Sequence, residues 1–295
     1  MADVSGPASE PARAKINLFL HVTGRRADGY HTLQSLVAFA DIGDTVTAEP
    51  SGMLSLSLDG PFGDLLEVSE DNLVLRAALA LQDVAHARTG RRPGAALLLT
   101  KRLPLASGIG GGSADAAATL RVLSRLWDLP LSEDERIALA LRLGADVPVC
   151  LDSRTRMMAG IGDRLTPAPA LPPVWIVLAN PGRGLETRGM FAARGEAAFT
   201  SPMTVPASFA SPHDLTDWLA RETRNDLEGV ARNAMPEIGE MESALCALPG
   251  ALHAGMSGSG ATCFALFADN AAAVEGARTL RDAHGGWWVE AGALS

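Results

Sequence analysis

Hydrophobic and polar positions alternate with a period of two near the start of the chain. In the segment AKINLFLHV one set of alternate residues is apolar: Ala14, Ile16, Leu18, Leu20 and Val22. The intervening residues are Lys15, Asn17, Phe19 and His21. Because successive side chains of a strand point to opposite faces, this pattern predicts a strand with one face in the core. It also places Lys15 and Asn17 side by side on the opposite face.

Similar patterns predict the other elements. Strands are predicted for LVAFADIGDTVTAEP, MLSLSLDG, AALLLTKRL, VWIVLAN, TCFALFA and WWVEA, and the segment GRRADGYH predicts a hairpin loop. One amphipathic helix follows Asp71 or Asn72 and ends at Gly90, and another runs to about Leu126. A third carries a capping box of Ser132 with Glu135 and ends at Gly144. Later helices are predicted near residues 187–195, 213–222, 225–233, 236–247 and 271–283.

The order of these elements predicts the fold class. Strands and helices are mixed without strict alternation, which indicates an α+β fold in two lobes. Four prolines lie between Pro167 and Pro173 and are typical of a junction. We therefore expect an N-terminal lobe over residues 1–165 and a C-terminal lobe over residues 166–295.

Composition narrows the possible functions. The chain has 295 residues and a formal net charge of -9, which argues against an extended nucleic-acid groove but leaves a small anionic ligand possible. Cys150, Cys246 and Cys263 are far apart and lack metal-ligand spacing, which favours reduced thiols in a cytosolic protein. No apolar stretch indicates a secretory signal or a membrane span. We expect a soluble, cytoplasmic protein.

A glycine-rich segment is the clearest functional signal. In LPLASGIGGGSADAAATLRVL, residues 103–123, four glycines between Gly108 and Gly112 precede a predicted helix. Unpaired N–H groups and the helix dipole suit an anion there, so we expect a phosphate-binding loop. A Walker A loop is excluded because the chain has no Gly-Lys pair, and the GxGxxG pattern fails at Ser113. A plain tight turn is the alternative.

Three segments together resemble a known family. AKINLFLHVTGRRADGYHTL, LPLASGIGGGSADAA and GMSGSGATCFALF are similar, in this order, to the three motifs of the GHMP kinases, which phosphorylate small molecules. ADGYH, GGGSADAA and GADVP resemble the branch that phosphorylates a cytidine diphosphate derivative of methylerythritol in isoprenoid precursor biosynthesis. The resemblance implies an N-terminal lobe like the second domain of ribosomal protein S5 and a ferredoxin-like C-terminal lobe. It also implies ATP and Mg²⁺ as cofactors. We expect a monomer or weak homodimer with no nucleic-acid or membrane partner.

The resemblance also implies which residues act. It implies that Asp146 accepts the proton of the substrate hydroxyl and that Lys15 stabilises the developing charge. Its substrate-binding residues would be Asn17, Tyr30, His31, Thr187 and Phe191. Its ATP-binding residues would be Pro104, Leu105, Ala106, Ser107, Gly108, Ile109, Gly110, Gly111, Gly112, Ser113 and Ala114. Ala114 stands where the family usually has a second serine after the glycines, so Ser113 is the one serine left at that position, and the metal ligands stay open.

Local sequence supports some of these roles and leaves alternatives. Asp146 directly follows a predicted helix end, and Pro148 stiffens the backbone after it, as suits a well-held proton acceptor. A solvated turn for Asp146, an exposed strand face for Lys15 and a core-edge position for Tyr30 are the structural alternatives. Two functional alternatives remain: a GHMP kinase for another small alcohol, and an inactive nucleotide-binding protein on the same fold.

Overall fold

The computed structural model describes residues 6–195 and 197–295. Residues 1–5, which belong to the predicted N-terminal lobe and to the segment predicted to lack a secretory signal, lie outside this range. The predicted α+β class is confirmed. The strands are β1 Ala8–Asn17, β2 His21–Arg25, β3 His31–Ser51, β4 Leu54–Asp59, β5 Gly94–Thr100, β6 Arg156–Gly160, β7 Arg164–Pro167, β8 Val174–Asn180, β9 Ala251–Met256, β10 Cys263–Phe267 and β11 Trp288–Leu294. The helices are α1 Leu73–Thr89, α2 Gly111–Leu126, α3 Glu133–Leu143, α4 Val147–Cys150, α5 Thr187–Arg194, α6 Pro212–Glu222, α7 Glu228–Ala234, α8 Glu237–Cys246 and α9 Asn270–Ala283.

The chain divides into two compact units, each discontinuous in sequence. The described residues of unit 1 are 6–14, 43–103 and 111–152, and those of unit 2 are 15–42, 104–110, 153–195 and 197–295. The lobe boundary between residues 165 and 166 stays a prediction.

Unit 1 combines a small sheet with helices α1 to α4. Strand β5 pairs in parallel with β4 and antiparallel with the C-terminal part of β3. Helix α1 packs against α2 and α3, and α2 also packs against α4. Alanines from Ala116 to Ala118 are fully buried in α2, so its small side chains allow close packing on every side.

Unit 2 contains the predicted ferredoxin-like arrangement. Strands β8, β9, β10 and β11 are joined by helices in the order β-α-β-β-α-β, and their order in the sheet is β11-β8-β10-β9. Strand β10 pairs antiparallel with β8 and with β9, and β11 pairs antiparallel with β8. Numbered along the chain, the strands therefore follow the spatial order 4-1-3-2 of the split βαβ motif.

Helix ends follow the sequence signals. Asn72, rather than Asp71, caps α1 by accepting the Val74 N–H, and Gly90 ends it with a left-handed φ of 70°. Ser132 and Glu135 form the predicted capping box of α3. Short polar side chains satisfy the first N–H groups of a helix, and glycine adopts the left-handed conformation without steric cost, so these ends were readable from sequence.

The first predicted strand differs from expectation in two ways. Ala14 to Val22 are all buried, including Lys15, Asn17, Phe19 and His21, so the prediction of one buried face is wrong. The strand is also interrupted between Asn17 and His21, where Leu20 forms an isolated bridge with Asn225. Apolar residues do alternate in this segment, but other parts of the chain cover both of its faces.

In the described ranges, none of the helices has the length and apolar character needed to cross a membrane. Cys150, Cys246 and Cys263 form no disulfide among the described residues.

Candidate active site

The glycine loop, defined here as residues 104–110, is held in place by its carbonyl groups. Four successive carbonyl oxygens accept hydrogen bonds from donors on other segments. The pairs are Ala106 with the Leu185 N–H (3.0 Å), Ser107 with the Thr262 N–H (3.1 Å), Gly108 with the Ser257 hydroxyl (3.2 Å) and Ile109 with the Lys15 N–H (2.9 Å). By contrast, the N–H groups of Gly108, Ile109 and Gly110 donate no hydrogen bond within the described ranges. The loop is thus fixed from one side, with backbone donors left for an anion.

Glycine is required at Gly108 for two reasons. Its φ of 76° lies in the left-handed region, and a Cβ atom there would lie 2.6 Å from the carbonyl oxygens of both Ser257 and Gly260. These oxygens belong to the second glycine loop, defined here as residues 257–260. A Cβ on Gly258 would in turn lie 2.5 Å from the Gly108 carbonyl oxygen. The two glycine loops therefore meet backbone to backbone, a distance that no side chain permits.

Lys15 and Asn17 lie beside the glycine loop. The side chains are buried, which rules out the exposed strand face that was the alternative for Lys15. A Cβ on Gly110 would lie 3.2 Å from the Lys15 Cβ. Asn17 donates from Nδ2 to the Ser35 hydroxyl at 2.7 Å, whereas its Oδ1 is buried and accepts no hydrogen bond in the described part of the chain. An unpaired buried acceptor is costly, so this oxygen is suited to a hydroxyl donor of a ligand.

His31 and Phe191 form the wall of a second part of the site. Their rings stack with centroids 5.3 Å apart and an interplanar angle of 21°. The His31 Nε2 is buried and makes no hydrogen bond among the described residues. Burial, followed by the charges of Arg25 and Arg194, lowers the pKa of His31 and favours its neutral form. A neutral imidazole nitrogen can read the edge of a base.

Tyr30 and Thr187 flank this wall. Tyr30 lies in the hairpin between β2 and β3 with 63% of its surface exposed, so it does not cap the core edge. The Thr187 hydroxyl lies 2.9 Å from the Ser259 hydroxyl and so connects α5 with the second glycine loop. Phe191 follows Thr187 by four residues, which places both on the same side of α5. The exposed ring of Tyr30, next to His31 in the chain, stays a predicted stacking surface for a planar ligand.

Asp146 belongs to unit 1, at the start of the short helix α4. It follows the end of α3 at Gly144, as predicted, and is half-buried. Its side chain does not cap α4. The role of Asp146 as the proton acceptor stays a prediction. The pairing of Asp146 with Lys15 stays a prediction.

A buried ionic triad lies behind the start of α2. The Lys101 ammonium donates to Asp44 Oδ2 at 2.5 Å and to Asp115 Oδ2 at 2.8 Å. Asp44 Oδ1 accepts the N–H groups of Arg102 and Leu103. Burial raises the pKa of Asp115 to about 7, against the opposing effect of Lys101. A Cβ on Gly111 would lie 3.0 Å from Lys101 Nζ, so the triad supports the first turn of α2.

Few protein donors are available for Mg²⁺ near the start of α2. Among the described residues, no group of three or more His, Cys, Asp or Glu side chains could hold a metal ion. Asp115 Oδ2 pairs with Lys101, and its Oδ1 is buried and accepts no hydrogen bond among the described residues, whereas Ser113 is half-buried in the first turn of α2. Mg²⁺ bound with ATP needs only one or two protein oxygens besides phosphates and water, so this donor set fits an ion carried by a nucleotide.

Several residues of this site were not identified from sequence. Ser257, Asn225, Lys101, Asp44 and Asp115 all hold the predicted residues in place. The sequence did carry a signal for Lys101, because it is one of only two lysines in the chain. The structure shows that both lysines are buried. Ser257 lies in the third family motif, GMSGSGATCFALF, but its partners, like those of Asn225, lie far away in sequence and could not be identified from it.

Comparison with known proteins finds relatives that all belong to one family of kinases. Two family models match, GHMP kinases N terminal domain over residues 72–154 and GHMP kinases C terminal over residues 211–285. A 4-diphosphocytidyl-2-C-methyl-D-erythritol kinase of Rhodospirillum rubrum is 53% identical over 97% of this chain and 92% of its own length. The enzyme of that name from Parvibaculum lavamentivorans is 51% identical over 98% of this chain and 99% of its own.

Solved structures show the same relationship. The crystal structure of a 4-(cytidine 5'-diphospho)-2C-methyl-D-erythritol kinase has a TM-score of 0.77 and 34% identity, covering 98% of this chain and 99% of that one. Homoserine kinase from Cytophaga hutchinsonii has a TM-score of 0.69 at 17% identity, covering 99% of this chain and 96% of that one. The second likeness shows the fold alone.

Proposed function

Because this chain belongs to the GHMP kinase family, we propose that it transfers the γ-phosphoryl group of ATP to the C2 hydroxyl of 4-diphosphocytidyl-2-C-methyl-D-erythritol. The reaction is a step of isoprenoid precursor biosynthesis by the methylerythritol phosphate pathway. Relatives of that name at about half identity over nearly the full chain support this substrate. One observation in the structure carries the proposal: a glycine loop fixed by four carbonyl groups, with unpaired N–H groups at residues 108–110.

The residues divide the reaction between them. The N–H groups of the glycine loop and the first turn of α2 bind the ATP phosphates, since both offer unpaired donors and the helix adds its dipole. Lys15 supplies positive charge beside the loop and stabilises the negative charge that develops during transfer. Asp146 accepts the proton of the substrate hydroxyl. Phosphoryl transfer depends chiefly on this kind of positioning and charge neutralisation.

The remaining predicted residues hold the second substrate. Tyr30 stacks on the cytosine, the neutral His31 hydrogen-bonds its edge, and Phe191 forms the opposite wall beside Thr187. Asn17 Oδ1, unpaired within the described ranges, accepts a hydrogen bond from the substrate. Mg²⁺, held by Ser113 and the ATP phosphates, would neutralise phosphate charge. A cytoplasmic location fits both the need for ATP and the three unbridged cysteines.

The experiment that tests this function is an assay of ADP release. Purified protein receives MgATP with 4-diphosphocytidyl-2-C-methyl-D-erythritol, homoserine or mevalonate. Turnover with the cytidine compound, and with neither homoserine nor mevalonate, supports the proposal. Turnover with one of the other alcohols would show a different GHMP kinase. ATP binding without turnover on any of them would favour an inactive nucleotide-binding protein.

Replacing Gly108 by alanine should weaken ATP binding. The new Cβ would strike two carbonyl oxygens of the second glycine loop and would also carry left-handed strain of about 1–2 kcal/mol. We expect the Kd for MgATP, measured by calorimetry, to rise by roughly 10- to 100-fold, the equivalent of losing about 1.4–2.8 kcal/mol.

Gly90 offers the matched control for this change. Its φ of 70° is similar, but a Cβ there meets nothing within 4 Å. Gly90→Ala should therefore cost stability without changing the Kd for ATP. Unchanged ATP binding by Gly108→Ala would mean that the glycine loop is not the phosphate site.

Substitutions at the hairpin should separate the two proposed contacts with cytosine. Tyr30→Ala should cost about 1–3 kcal/mol of CDP binding, the usual contribution of stacking on an aromatic ring, whereas Tyr30→Phe should retain it. His31→Ala should reduce the preference for CDP over UDP, because it removes a hydrogen bond to the base edge. Calorimetry with CDP and UDP checks both. Equal losses of affinity for a substrate analogue without a base would indicate that the changes disturb folding instead.

A further inference from the structure

Asn225 lies in the turn between α6 and α7 and uses its whole side-chain amide. Its Nδ2 donates to the carbonyl oxygens of Met256 at 2.9 Å and Gly258 at 2.8 Å. Its Oδ1 accepts the Leu227 N–H at 3.0 Å. The two carbonyl groups lie on either side of Ser257 in the chain. Asn225 therefore fixes the backbone immediately before and after Ser257.

Ser257 in turn connects two parts of the proposed active site. It is fully buried, and its hydroxyl donates to the Gly108 carbonyl oxygen at 3.2 Å and accepts the Asn17 N–H at 3.1 Å. One bond reaches the glycine loop, and the other reaches the strand end that carries Lys15 and Asn17. A displacement of Ser257 would shift both.

We infer that Asn225 is a positioning residue for ATP binding: it acts through Ser257 to hold the glycine loop against the second glycine loop. The inference rests on the proposed function, because it takes residues 104–110 as the ATP site. Asn225 makes no hydrogen bond to His31, Phe191 or Thr187. Its effect should thus fall chiefly on ATP, because it reaches the cytidine part of the site only indirectly, through Gly258 and the neighbouring contact of Ser259 with Thr187.

Asn225→Asp is the sharpest test. The aspartate keeps the oxygen that accepts the Leu227 N–H, but it replaces the donor with an oxygen that faces two carbonyl oxygens. We expect the Kd for MgATP to rise at least about tenfold, because the hydrogen bonds to both the Met256 and the Gly258 carbonyl oxygens are lost. The Kd for CDP, measured in parallel, should stay within about twofold of wild type.

Asp226→Asn is the matched control in the same turn. The Asp226 carboxylate is buried and accepts hydrogen bonds from the Val22 N–H at 2.7 Å and the Thr200 hydroxyl at 2.6 Å. It has no hydrogen bond to residues 256–258. Asp226→Asn should lower the Tm but leave the Kd for ATP unchanged. A merely structural role of Asn225 would give the same result for Asn225→Asp and would overturn the inference.

Ser257→Ala provides a second, independent test should Asn225→Asp fold poorly. This variant should also raise the Kd for ATP, because it removes the bond to Gly108. If Asn225 acts through Ser257, the variant with both substitutions should have a Kd for ATP no higher than that of whichever single variant binds ATP more weakly. Losses that multiply would overturn the inference. Because ATP binding is measured without the second substrate, a wild-type protein that binds ATP but does not turn over the cytidine compound counts against the proposed function alone.

Discussion

Replacing Asp146 by asparagine is expected to reduce kcat by about 10²–10⁴-fold, the usual contribution of a general base, with little change in the Kd for ATP or CDP. Asparagine keeps the shape of the side chain but cannot accept the hydroxyl proton. Lys15→Met should cause a comparable loss while preserving the packing of the lysine stem beside Gly110. Because both residues act on one transfer, the double variant should fall well short of the product of the two losses.

Single-turnover rates for the wild type, both single variants and the double variant provide the measurement. Asp152→Asn is a suitable control, because Asp152 lies just after α4 and pairs at the surface with Arg136. It should leave the rate within about twofold of wild type, since surface ion pairs contribute little. Full activity in Asp146→Asn with the cytidine substrate would refute its role as the base.

Replacing Lys101 by methionine is expected to destabilise the protein by about 3–5 kcal/mol, because it leaves two buried carboxylates without their cation. The side chains of Lys101, Asp44 and Asp115 are all at least 96% buried. Burial alone would lower the pKa of Lys101, but Asp115 and Asp44 outweigh it and raise that pKa. Urea unfolding measures the effect. A loss under about 1 kcal/mol, typical of a surface pair, would contradict this role.

The same triad predicts a pH dependence. Two carboxylates share one ammonium group, so a proton on Asp115 relieves a buried net negative charge. Its pKa of about 7 lies above the unfolded value near 3.9, so the native state binds more protons between these values. The free energy of unfolding should therefore fall as pH rises from about 4 to about 7.

Asp115→Asn should reduce this slope. Burial also raises the pKa of Glu242 to about 7, so Glu242→Gln should remove a separate share of the same slope. Comparing the pH dependence of the free energy of unfolding in each variant with that of wild type gives the contributions of Asp115 and Glu242 separately. A slope unchanged in Asp115→Asn would show that the triad holds no proton in this range.

Local features of the fold were predictable from sequence because neighbouring residues determine them. The caps at Asn72 and Ser132 and the end of α1 at Gly90 depend on side chains within a few positions. The hairpin loop that contains Tyr30 was likewise predictable from its sequence. Strands β6 and β7 were not predicted, since they lie in and beside a proline-rich segment that reads as a junction.

The site itself was only half readable. Glycines and a lysine in a recognisable order predicted which segments matter, and the structure brings Lys15, Asn17 and the glycine loop together. The bonds that fix them join Asn17 with Ser257, 240 positions apart, and Asn225 with Gly258, 33 positions apart. A single sequence does not reveal such pairs, because nothing local to Asn17 or Asn225 indicates which distant residue it bonds.

The donors that brace the glycine loop have a consequence for synthesis. Residues 104–110 leave the ribosome early. Three of the donors to their carbonyl oxygens, Leu185, Ser257 and Thr262, are translated much later. A nascent chain that ends before residue 262 therefore cannot form all the hydrogen bonds that fix the glycine loop, however well its helices have formed. The capacity to bind nucleotide should therefore arise late in translation, after Thr262 has left the ribosome.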